Sequence, residues 1–126
     1  MNRIVGELLR VAKDLVSTPM AFIEPDSQTL RWAKSALMGA LNVDKSWKQV
    51  YSQLMVVQEG SSNKFHYFGA WQDKNGRSIG GNAYGRIGYN PKSIEIARGE
   101  ASSVIRLVDQ KASMKKRSKG YHTVEV

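Results

Sequence analysis

Cysteine is absent from the 126 residues. That excludes a disulfide scaffold, a thiolate nucleophile and any cysteine-ligated zinc site, and it is compatible with a reducing compartment. Proline is scarce, and Pro19, Pro25 and Pro91 each fall where the apolar pattern breaks. Histidine occurs only as His66 and His122, with no metal or triad spacing around either. Gly80, Gly81, Gly85 and Gly88 are not followed by Gly-Lys-Ser/Thr, and they run from strand to strand, so a Walker-type phosphate loop is not expected. No catalytic residue, metal ligand or cofactor is assigned, and the chain reads as non-enzymatic. Acids are also in deficit, 11 against 19 Lys and Arg, for a formal charge of +8. That balance favours polyanionic partners. No apolar run is long enough to span a bilayer, so no membrane partner is expected. Glu7 and Asp14 interrupt the positive charge of the amino-terminal stretch, which lacks the apolar block of a signal peptide. The expected setting is intracellular: cytoplasmic, nuclear, or a host cell if the protein is viral.

What is present divides at about residue 48. Ahead of it, two stretches carry helical periodicity. In residues 3–16, Ile4, Leu8, Val11, Ala12 and Leu15 share a stripe, ended by Ser17-Thr18-Pro19. In residues 27–41 the stripe is Leu30, Ala33, Leu37, Ala40 and Leu41, with Asp26 or Ser27 as cap and Asn42 as stop. Residues 1–47 are therefore expected to form a helical extension whose apolar stripes brace the sheet, dimerise the chain or dock a partner protein.

After residue 48 the period becomes two. Strands are expected over 50–57, 64–72, 77–86 and 93–98. The second carries Phe65 and Tyr67 on one face and His66, Phe68 and Ala70 on the other, the pattern of a central strand. Asp73-Lys74-Asn75-Gly76 signals a hairpin, because Asn-Gly tolerates positive φ, and Gly80-Gly81 signals a bulge or bend. A helix is expected over 101–119, with Ala101, Val104, Ile105, Val108 and Ala112 on its stripe, Gly120 as its terminator and a last strand after it. Strands closed by a packing helix imply an antiparallel sheet in an α+β domain.

Chemistry concentrates at Ala83-Tyr84-Gly85-Arg86-Ile87-Gly88-Tyr89. On an extended backbone Tyr84 and Arg86 project the same way, and they are expected to stand at an exposed sheet edge with nothing in front of the ring or the cation, Gly85 between them opening the backbone to close approach. A flat ring beside a guanidinium stacks on a sugar or base and grips a phosphate. Lys64, Arg77 and Lys92 lie in or beside the same strands and extend the positive surface. Lys115, Lys116, Arg117 and Lys119 form the densest basic run, read either as a solvated helix end or as further phosphate contacts. The alternative for the central pair is that Tyr84 packs in the sheet while Arg86 pairs with Glu95 or Asp73.

This stretch resembles the signature of the WGR domain, with Tyr84 where the family usually has tryptophan. Asn63-Lys64-Phe65-His66-Tyr67 is similar to the Asn-Lys-Phe-Tyr run of an earlier WGR strand. The late helix, its basic end and Gly120-Tyr121 follow the family order. The resemblance covers roughly residues 48–126. It implies a twisted antiparallel sheet with one carboxy-terminal helix packed on it, here preceded by two helices. It also implies binding of double-stranded DNA at ends, nicks or junctions, the aromatic against a terminal sugar and the arginine beside it. Those roles fall on Tyr84 and Arg86. RNA remains a second polymer that the same contacts serve, and a protein partner for residues 1–47 remains the alternative function.

Overall fold

From Lys48 to Glu100 side chains alternate between two faces, and the chain runs back and forth as consecutive hairpins. The structure, a computed structural model, describes residues 27–124. Its elements in chain order are α1 (Ser27–Leu41), β1 (Lys48–Glu59), β2 (Ser62–Gln72), β3 (Arg77–Arg86), β4 (Lys92–Glu100), α2 (Ala101–Lys119) and β5 (His122–Val124). The strands form one five-stranded antiparallel sheet in the order β4-β3-β2-β1-β5. The α+β class, with a helix after the sheet, is as expected. Of the two expected amino-terminal helices, one is α1; the stretch 3–16 lies outside the described residues.

β2 is central because it is apolar on both faces. Phe65, Tyr67 and Trp71 are buried on one side, Phe68 and Ala70 on the other. Such a strand needs cover from both directions. α1 lays Ala33, Leu37 and Leu41 on the first face. α2 lays Val104, Val108 and Ala112 on the second. The stripe of α1 is thus spent on the sheet, and α1 and the strands share one core.

Two adjacent glycines let both helices close on β3. A Cβ at Gly80 would lie 2.6 Å from Val108 Cγ2, and one at Gly81 would meet the Ile94 carbonyl oxygen and lie 3.0 Å from Leu37 Cδ1. Successive residues face opposite ways, so the bare pair admits α2 on one side and α1 on the other. The register against β4 shifts between the same two residues, which is the bulge the sequence signals.

The local terminators explain the differences from expectation. Ala40 is exposed, not on the buried stripe, and Val43 takes its place. Asn42 adopts φ 59°; its N–H donates to the Gly39 carbonyl at 3.3 Å and the Val43 N–H to the Met38 carbonyl at 2.9 Å. This is a Schellman closure with asparagine in the left-handed position, and it folds Val43 back under the helix. At the β2–β3 turn only Gly76 has positive φ. The Asp73 carboxylate accepts the N–H groups of Asn75 and Arg77, both at 2.9 Å, and so closes the four-residue turn, 73–76, where the sequence signals it. α2 ends at Gly120, φ 76°, as expected. Among the described residues no helix is long and apolar enough to cross a membrane.

Candidate nucleic-acid interface

Residues directly opposite in an antiparallel pair share a face. Between β2 and β3, His66 lies opposite Tyr84 and Lys64 opposite Arg86. On the other flank of β3, Lys92 lies opposite Tyr84. Alternation from Phe65 and Ala83, which are buried toward α1, puts all five on the α2 face. Tyr84 and Arg86 therefore do share a face.

Their setting differs from the expectation in two ways. β3 is not an edge strand, because β4 pairs along it, so the pair rises from a face near the strand's end. Nor is Tyr84 open on both sides. It is half-buried, with the His66 ring 5.2 Å away and inclined by only 15°. Flat rings at directly opposed positions favour this offset stacking. Arg86 is exposed, its guanidinium 5.4 Å from the centre of the Tyr89 ring. A turn holds Tyr89 there, its N–H donating to the Arg86 carbonyl at 3.1 Å. Gly85 has φ 157°, and a Cβ on it would make only ordinary contact with Pro91, so what it contributes is its backbone angle. The two acids considered as partners for Arg86 are placed elsewhere. Glu95 forms a bidentate pair with Arg98 at 2.7 and 2.8 Å, and Asp73 caps the turn at the opposite end of β3.

Beneath Tyr84 lies a buried polar pair. His66 and Asn82 are 6% and 5% exposed, and His66 Nδ1 bonds Asn82 Oδ1 at 3.0 Å. The amide oxygen can only accept, so Nδ1 carries the proton. Phe68 stacks on the same imidazole, and Tyr121, just past α2, meets it edge-on at 4.9 Å. Burial pushes the His66 pKa down to about 4; the bond to Asn82 opposes this and the nearby charge of Lys115 adds to it. The ring is therefore neutral at pH 7.

A groove of about 690 Å³ opens over this pair, between β3, β4 and the later turns of α2. Ile94 and Met114, two of the more exposed large apolar side chains, line it together with Lys111 and Lys115. Glu95 also borders it, already held by Arg98.

The structure thus gathers Tyr84, Arg86, Lys64, Lys92 and Lys115 around one region of the α2 face, while Gly85, opposite Phe65, belongs to the α1 face and lies between the first two only along the backbone. It does not bring Arg77 there. Arg77 sits at the other end of β3, opposite Glu100, roughly 30 Å along the strand from Arg86. It borders a different hollow, on the α1 side, with Asp73 and Arg98. Lys116, Arg117 and Lys119 are exposed in the last turns of α2 and do not line the groove. Sequence reasoning missed Asn82, Lys111, Met114 and Ile94. The spacing of Lys111, Met114, Lys115 and Ser118 does mark a second helical stripe beside the apolar one, but the Asn82–His66 pairing exists only through strand register. Among the described residues, no group of three or more His, Asp or Glu gathers where it would hold a metal.

No protein-family model, no curated protein and no solved structure matches the chain.

Proposed function

We propose that this protein binds nucleic acid without acting on it, double-stranded DNA at an end, nick or junction being the favoured target. The observation that carries the reading is the register that aligns Lys64 with Arg86 and Tyr84 with Lys92 on one face. The cations take phosphates, and the free side of Tyr84 packs on a sugar or base. The resemblance to WGR domains, through Tyr84-Gly85-Arg86 and Asn63 to Tyr67, points the same way. So does the net charge of +8. The alternative, a protein-docking module, loses part of its support because α1 spends its apolar stripe on the sheet.

The test is a titration of labelled duplex across a salt series. Four to six neutralised phosphates give a slope of log affinity against log salt of roughly −3 to −6. Arg86→Ala weakens binding and makes the slope shallower by about 0.9. Tyr84→Ala weakens it by roughly 1–3 kcal/mol, with a melting curve to confirm that the variant is folded. Wild-type affinity in both variants removes the site. Equal affinity for an open duplex and for a dumb-bell closed by hairpins removes end recognition.

A further inference from the structure

The groove over His66 and Asn82 has a composition that phosphate gripping does not require. Its sides are apolar, Ile94 on β4 and Met114 on α2, 49% and 46% exposed. Leaving two large apolar side chains open across one hollow favours a flat apolar occupant. Its floor is polar and nearly buried. Asn82 Oδ1 accepts the His66 Nδ1–H, and the Asn82 amide nitrogen, with two N–H donors, has no hydrogen-bond partner among the described residues. A donor in that position asks for a carbonyl or ring-nitrogen acceptor on the occupant. The rim carries two cations, Lys111 and Lys115, one helical turn apart on the groove side of α2, and one acid, Glu95, whose carboxylate is held by Arg98. Apolar sides, a donor at the floor and ammonium groups at the rim describe a nucleobase joined to a phosphate. The volume, about 690 Å³, lies within the roughly 300–1,000 Å³ of small-ligand sites.

We propose that this groove receives one unpaired nucleotide of the bound nucleic acid, its base between Ile94 and Met114 with an acceptor atom on the Asn82 amide, and its phosphate on Lys111 and Lys115. The proposal rests on the nucleic-acid reading and narrows it. A flush duplex offers no free base, whereas an overhang, a bulge or a frayed end does. Methionine adapts to any base and adds sulfur–aromatic contact, so the slot reads the presence of an unstacked base more than its identity.

The experiment compares affinities of the whole chain for a flush duplex and for the same duplex carrying one unpaired nucleotide at an end. Wild type is expected to prefer the second by about tenfold, the worth of one stacked base. Ile94→Asn and Met114→Gln take the apolar walls from the groove at exposed positions without changing the charge of the surface. Each is expected to abolish the preference, read as the ratio of the two affinities, and melting curves confirm that both variants fold. A wild-type ratio of one overturns the proposal, as does a ratio preserved in both variants. Competition by millimolar mononucleotide as effective as competition by the overhang strand would assign the slot to free nucleotides and overturn it too. If folded wild type binds neither duplex, the broader nucleic-acid reading fails first and this one with it, a result separable from a ratio of one.

Discussion

Acidification is expected to destabilise the protein well before its carboxylates protonate, and His66 is the reason. In the unfolded chain the imidazole takes a proton near pH 6.5; in the folded protein burial holds its pKa at about 4. Between those values the unfolded state binds a proton that the folded state refuses. Stability therefore falls as pH drops from about 6.5 and levels off near 4. Each pH unit in that window costs about 1.4 kcal/mol at most. Discounted for partial solvent screening, the loss from pH 7 to pH 4.5 is about 2 kcal/mol. For a domain of this size that is a fall of roughly 8 °C in Tm. Asp44 and Glu95, whose carboxyls are held below their ordinary values by Ser46 and Arg98, contribute stability that is present above pH 4–5 and lost only below it. Among the groups of the described residues whose pKa is shifted, the upper window thus belongs to His66. The assay is thermal unfolding by circular dichroism at half-unit steps from pH 7.5 to 4.5, for wild type and His66→Phe. The phenylalanine keeps the stack on Tyr84 and does not titrate, so its melting temperature should stay level where wild type declines. A level wild-type curve, or the same decline in both proteins, refutes the argument, as does a His66 imidazole that titrates near 6.5 by NMR.

Two further outcomes test the packing that holds the interface in place. Gly81→Ala puts a methyl against the Ile94 carbonyl oxygen, a backbone atom that cannot rotate away. It is expected to cost about 1–3 kcal/mol in denaturant unfolding, whereas alanine at Gly39, exposed on α1 with nothing within 4 Å, stabilises by about 0.5–1 kcal/mol; equal effects would contradict the account of β3. Leu37→Ala removes a fully buried side chain between α1 and the sheet and is expected to cost about 2–5 kcal/mol in the same measurement. A loss under 1 kcal/mol would mean that α1 is an appendage and not part of the core.

Much of this fold was legible in local chemistry. β3 and α2 run over the residues their periodicity marks, Arg77–Arg86 and Ala101–Lys119. Gly80-Gly81 sits at a register shift and Gly120 ends α2, because a bulge and a left-handed terminator are requirements of the backbone at that spot. The two-faced apolar pattern of β2 predicts its central place, since each face needs its own cover. The failures were failures of context. Ala40 fits the helical stripe, yet the closure at Asn42 swings Val43 into the position it was expected to fill. Arg77 shares a strand with Arg86, but a strand separates its ends by its full length, and alternation along it says nothing of distance.

The candidate interface divides the same way. Composition settles the excess of positive charge, and the period of two settles that Tyr84 and Arg86 face the same way, for both are properties of single residues or near neighbours. Which side chains meet across strands is another matter. That His66 covers one side of Tyr84, that Lys64 comes beside Arg86, and that Asn82 lies on the floor of a groove walled by Met114 all depend on register and on where α2 crosses the sheet. Those are fixed by cooperative packing of distant segments, and only the folded chain decides them.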